Sequence, residues 1–153
     1  MIIEIYADNL KPQDVKFNQQ FFALSLILFK DGRVLLLRDP KEETYQFPKI
    51  AYYRESELEL ALSSLVAAAG VNRDSLVKSV TLHEHFPKRT YIRHYYMIDT
   101  AALDFSNISA LTEREVVWLK DYEALEVLGD YRGCDPWGSQ KMERDFIALI
   151  NSI

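Results

Sequence analysis

The chain is short of several things, and each shortage closes off a class of protein. Its one cysteine, Cys134, cannot form an internal disulfide, which excludes a disulfide-stapled scaffold and fits a reducing compartment. Five Gly and five Pro in 153 residues exclude collagen-like and linker-rich chains, and neither an internal repeat nor a low-complexity segment is visible. The longest apolar run, Phe21 to Phe29, is broken only by Ser25 and is far too short to span a bilayer. No basic region precedes an apolar stretch at the start, so no signal peptide and no membrane partner are expected, and the chain reads as cytoplasmic. Positive charge is also scarce. Eighteen Lys and Arg stand against 23 Asp and Glu, a formal net charge of -5, so the global field repels polyanions. No Lys/Arg run supplies a local basic patch, and nucleic acid is not an expected partner.

What is present is ordinarily globular: 48% hydrophobic and 27% charged residues, read as one domain over 1–153 that can bury a core unaided. Ile2 to Tyr6 reads as a strand. Phe21–Lys30 and Arg33–Arg38, joined by Asp31-Gly32, read as a hairpin, because that dipeptide accepts positive φ. Gln46 to Tyr53 reads as a further strand. Ser56-x-x-Glu59 predicts a capping box, after which Leu58, Leu62, Leu65 and Ala69 recur at helical spacing up to Gly70, a suitable stop. Leu76–Phe86 and Tyr91–Asp99 predict a second hairpin around Pro87-Lys88. Val116–Leu119 reads as a strand, Tyr122–Leu128 as a short helix, and Ser139–Ile150 as a last amphipathic helix. Hairpins mixed with two or three helices indicate an α+β sandwich rather than a doubly wound parallel sheet.

One segment carries a resemblance. Lys49 to Val71, KIAYYRESELELALSSLVAAAGV, has the length and aliphatic skeleton of the Nudix box, G-x5-E-x7-R-E-U-x-E-E-x-G-U, with U a bulky aliphatic. Laid on it without gaps, Glu55 takes the first Glu position, Leu65 and Val71 the aliphatic ones and Gly70 the closing Gly, with Phe47-Pro48 just ahead. Lys49 stands for Gly, Ser63-Ser64 for Arg-Glu, and Ala67-Ala68 for Glu-Glu. Glu115-x-x-Trp118-Leu-x-Asp121 and the helix after it resemble the closing segment of Nudix domains, so the resemblance runs from about Phe21 to Leu128. It implies a Nudix-like α/β/α sandwich with a mixed β-sheet, and a degenerate site.

In the family the box glutamates hold the metal that drives diphosphate hydrolysis. A dication such as Mg²⁺ needs several converging oxygens, which a hydroxyl and two methyl groups do not supply. Ser63 also removes the arginine that would partner Glu55. Glu59 fits better as the capping-box acid and Glu57 as a favourable charge near the positive helix end, and Glu113 and Glu115, where some Nudix enzymes carry a base, as solvated surface. No catalytic residue, no metal and no cofactor are therefore expected. The candidate groove residues are Glu55, Ser63, Ser64, Ala67, Ala68, Tyr52 and Glu115.

His83 and His85 alternate onto one face of a predicted strand and His94 lies on the next, so in register they could hold zinc or serve as acid and base. Spacing does not fix that register, and unmetallated sheet histidines are expected. Tyr52, Tyr53, Phe86, Tyr91, Tyr95 and Tyr96 lie on segments that flank the substrate groove in the family, where rings can stack a base at about 1–3 kcal/mol. Lys88, Arg89 and Arg93 are a weak phosphate signal. The favoured reading is a catalytically impaired module that binds a nucleotide or nucleoside diphosphate derivative. The alternative is a divergent hydrolase of such derivatives, using Mg or ligands recruited from outside the box. A homodimer or another protein, packed on the Ser64, Ala67 and Ala68 strip, is a further partner class.

Overall fold

The computed structural model describes residues 2–7, 9–30, 32–41, 43–99 and 114–129. Eight strands form one mixed sheet: β1 (Ile2–Tyr6), β2 (Gln19–Lys30), β3 (Arg33–Asp39), β4 (Thr44–Gln46), β5 (Lys49–Tyr52), β6 (Leu76–Phe86), β7 (Arg89–Asp99) and β8 (Glu115–Lys120). Among the described residues two α-helices accompany them, α1 (Leu58–Ala69) and α2 (Asp121–Gly129). The strand order is β1-β6-β7-β2-β3-β4, with β5 added beside β2 and β8 beside β3. The β1–β6 and β2–β7 pairs are parallel and the others antiparallel.

Side-chain alternation decides what each face buries. Along β2, Phe22, Leu24, Leu26 and Leu28 join one core with α1, while Ile27 and Phe29 join the other with α2. The helical spacing read from the sequence does what it predicts: Leu62 and Leu65 are 2% and 1% exposed, and Leu58 packs at their edge. Burying each leucine contributes roughly 1.5–3 kcal/mol. Ala124 and Val127 of α2 cover the opposite core. The result is the expected α/β/α sandwich.

The stop of α1 is also as expected. Gly70, at φ 69°, donates to Ala67 O at 3.1 Å, and Val71 N reaches back to Val66 O at 3.1 Å, satisfying two end carbonyls. The start differs. A 3-10 turn, Glu55–Glu57, precedes α1, and Arg54 holds the extended conformation, φ -132° and ψ 140°, that a capping residue needs. Ser56 therefore falls inside the turn and the capping box does not form. Glu59 instead pairs with Arg73 at 2.6 Å.

A second difference shapes the site. The single strand expected over Gln46 to Tyr53 is two strands, β4 and β5, broken at Phe47-Pro48. Proline has no N–H for a ladder, and its carbonyl instead accepts from Leu26 N at 2.9 Å. The break sends β4 to β3 and β5 to β2. β2 and β3 pair at their hairpin tip, through Phe29–Val34 and Lys30–Arg33, and beyond it β5 lies beside β2 and β4 beside β3. The helix expected over Ser139 to Ile150 lies outside the described residues.

Candidate functional site

The outward side of α1 is almost without charge at its centre. Ser63, Ser64 and Ala67 are exposed and Ala68 is half-buried, with Leu60 beside them 70% exposed. The positions aligned with the family's metal-holding glutamates thus present one hydroxyl and two methyl groups. Glu55 is exposed in the 3-10 turn just ahead of α1.

The sheet face on the α1 side is more polar. The register pairs Phe22 with both Tyr52 and Ile92, and Leu24 with both Ile50 and His94, so Tyr52 and His94 flank β2 on that face. Tyr52 is 6% exposed and its ring stacks on Phe22 at 5.3 Å between centroids. Its hydroxyl is buried without a hydrogen-bond partner, and so is His94 Nε2. Burial, then the charges of Tyr96 and Glu55, pushes the Tyr52 phenol up to about 12. Burial likewise raises Tyr96, assisted by Glu59 and opposed by Arg73. For His94, burial and then His83 lower the pKa against the pull of Glu55, so the ring is held neutral. Its Nδ1 meets Thr81 Oγ1 at 2.8 Å.

The same face continues outward to β6 and β1. Thr81 is opposite His94, His83 opposite Ile92 and His85 opposite Thr90, which puts all three histidines on one face. The parallel β1–β6 pair then sets Glu4 beside His83. One Glu4 oxygen lies 2.9 Å from His83 Nδ1 and the other 2.5 Å from His85 Nε2. The Glu4 carboxyl is raised by burial but lowered more by the hydrogen bond from His85 and by the charge and hydrogen bond of His83, leaving it below its usual value. His85 Nδ1 meets Thr90 Oγ1 at 2.9 Å, Asn18 Nδ2 donates to that hydroxyl at 3.1 Å, and Tyr6 stacks on the His85 ring at 4.6 Å.

Of the aromatic residues singled out in the sequence, Tyr52 and Tyr96 belong to the α1 face. Tyr95 lies in the opposite core against Phe47, Tyr53 is 91% exposed, and Phe86 and Tyr91 pack on each other by the hairpin turn. Glu115 pairs with Arg38 at 2.9 Å, on the β8 alternation that carries Val117 and Leu119 to the α2 side. Glu113 lies outside the described residues. Glu4, Thr81, Thr90 and Asn18 carry no local signal in the sequence; only strand register brings them to the histidines.

This architecture is the fold of the Nudix hydrolases. It is shared with a Nudix hydrolase from Nitrosomonas europaea, at TM-score 0.60 and 13% identity over 87% of this chain and 89% of that one. It is shared also with a C. elegans Ap4A hydrolase, at TM-score 0.53 and 16% identity over 88% and 98% of the two chains. A MutT protein from Bacillus halodurans superposes at TM-score 0.55 and 14% identity, over 85% and 82%. No family model and no curated protein matches the sequence. Among the described residues, no helix is long and apolar enough to cross a membrane.

Proposed function

We propose that this chain binds a nucleotide or nucleoside diphosphate derivative on the α1 face of its sheet, without metal-dependent hydrolysis by the box helix. One observation carries the binding half of this reading: the buried Tyr52 hydroxyl and His94 Nε2 lack partners on one face, beside the field of Glu55. Each such atom costs about 1–3 kcal/mol unless something satisfies it, and a ligand with ring or hydroxyl polar groups does so. The Nudix-fold neighbours named above include a protein described as an Ap4A hydrolase, which supports a nucleotide derivative as the ligand class. The impaired half rests on charge. At positions 64, 67 and 68 nothing anionic replaces the family's glutamates, so Mg²⁺ brought in by substrate phosphates has no fixed seat and the attacking water no orientation. Positioning supplies much of phosphoryl-transfer catalysis.

The test combines binding and turnover. In a thermal-shift panel of nucleotides, sugar nucleotides and ADP-ribose, a ligand at a hundred times its Kd adds about 2.7 kcal/mol, equally with Mg²⁺ and with EDTA. Turnover of ADP-ribose, dinucleotide polyphosphates and nucleoside triphosphates with Mg²⁺ or Mn²⁺ stays at background. Robust turnover abolished by EDTA overturns the reading. A second reading, hydrolysis through ligands recruited outside the box, is favoured by the Glu4, His83 and His85 group. It is the one supported if that turnover disappears on replacing His83 and His85.

A further inference from the structure

We infer that Glu4, His83 and His85 form a binding site for a zinc-class divalent cation, separate from α1 and independent of any ligand in the groove. From the sequence no metal is expected at the histidines, because spacing alone does not fix their register. The β6–β7 register sets His94 opposite Thr81, and the parallel β1–β6 pair brings a carboxylate from 79 residues away to His83 and His85 instead. One donor atom from each residue lies within 4.8 Å of the others, and this is the one such group among the described residues.

The donor set selects the metal. Two imidazoles and one carboxylate suit Zn²⁺, Co²⁺ or Ni²⁺, whereas Mg²⁺ and Ca²⁺ take all-oxygen shells. Zinc sits about 2.0–2.2 Å from such donors, which at tetrahedral angles separates them by roughly 3.4 Å. The Glu4 oxygens lie at 2.9 and 2.5 Å from the ring nitrogens, so the carboxylate must withdraw slightly. Its side chain is 44% exposed and free to do so, while His83 at 24% and His85 at 11% are held by the sheet. Three protein donors leave a fourth position open on the solvent side, as in sites that accept a water or a ligand atom.

The surroundings serve both states of His85. Without a cation, the Thr90 hydroxyl donates to Nδ1 and the Nε2 proton goes to Glu4. With one, the same hydroxyl accepts from Nδ1–H and Nε2 offers its lone pair to the metal. Thr90 can make this exchange because Asn18 Nδ2 already donates to it at 3.1 Å and holds it in place. A partner on the far nitrogen that fixes orientation is what a histidine ligand needs. Tyr6, stacked on the ring, restricts its tilt.

The experiment uses the full chain, stripped with EDTA and titrated with Zn²⁺ by calorimetry and with Co²⁺ by visible absorption. One ion per chain is expected, with Mg²⁺ at millimolar concentration failing to compete. His83→Asn and His85→Gln, which keep polar volume, each weaken binding at least 100-fold. Thr90→Val weakens it about tenfold, the lower end of outer-shell effects. Glu4→Gln, at a partly exposed position, weakens it without threatening the fold. Cys134→Ser leaves it unchanged, which removes the chain's one thiol from consideration. Absence of a stoichiometric site in the natural sequence, or its survival in the combined Glu4→Gln, His83→Asn, His85→Gln variant, overturns the inference. Groove binding that persists in that variant leaves the proposed function standing, so the two fail separately.

Discussion

Tyr52→Phe separates a ligand-binding tyrosine from a structural one. If the hydroxyl were part of the architecture, its loss would destabilise the protein. The structure argues the reverse sign. The ring is 6% exposed and stacked on Phe22 at 5.3 Å, so phenylalanine keeps the packing. The hydroxyl has no partner, so its removal lifts a desolvation cost rather than breaking a bond. Such a cost is about 1–3 kcal/mol for a buried polar group, and a gain of about 1 kcal/mol, the lower end of that range, is expected without ligand. Urea unfolding measures it as a higher midpoint at unchanged slope. Alkaline pH gives an independent readout. The phenol titrates near 10 in the unfolded chain and about 12 in the folded one, where burial, then Tyr96 and Glu55, disfavour the phenolate. The folded state then holds more protons between pH 10 and 12, so its stability falls as pH rises across that window. In Tyr52→Phe the fall is smaller, with a residue left by Tyr96, which is raised in the same direction. Ligand affinity should drop in the same variant. Destabilisation at neutral pH, or an unaltered alkaline slope, refutes the reasoning.

Three further outcomes follow from the packing and the turns. Leu65→Ala, at a site 1% exposed on the buried face of α1, should cost about 3–4 kcal/mol in urea unfolding, since the surrounding core relaxes only partly around the void. Lys88, at φ 69° after Pro87, occupies the left-handed position of a tight turn, so Lys88→Gly should stabilise by about 0.5–1 kcal/mol, read from the same midpoint. His94 is kept neutral by burial, so the unfolded chain takes up its proton first on acidification. Stability is therefore full above about pH 6.5 and declines below it, and that part of the pH profile should flatten in His94→Gln.

Local signals were legible and distant ones were not. The β2–β3 pairing, the β6–β7 hairpin and the leucine spacing of α1 each depend on residues a few positions apart, and each appears in the structure. Ser56 and Glu59 also satisfy a local pattern, yet the preceding 3-10 turn takes the capping position to Arg54. Pro48 breaks a predicted strand because it has no N–H for a ladder; its carbonyl accepts from Leu26 N, and β4 and β5 pair with different strands on either side of it. Strand β7 is aromatic or aliphatic on both faces, so alternation alone does not say whether Tyr95 or Tyr96 meets α1. Glu4 was invisible for the same reason: a parallel pair formed by residues 79 apart leaves no trace in either segment.

The bare side of α1 carries the last prediction, and it concerns stability as much as catalysis. Positions 64, 67 and 68 are neighbours at i,i+3 and i,i+4, and two of them fall in the final turn before Gly70. Carboxylates there repel one another by about 0.2–0.5 kcal/mol per pair and face the negative end of the helix at about 0.3–1 kcal/mol. A chain already at -5, with Glu55, Glu57 and Glu59 on the preceding turns, gains nothing from three more anions unless a cation binds them. The combined Ser64→Glu, Ala67→Glu, Ala68→Glu variant should therefore lose roughly 1–3 kcal/mol in EDTA, by that same accounting. Mg²⁺ should restore the loss only if the groove still gathers the three oxygens around one ion, and in that case diphosphohydrolase activity should return with it. The natural sequence should show neither response. A natural chain stabilised by Mg²⁺ as strongly as the variant would mean that α1 still meets a cation, and the charge argument for an idle box would fail.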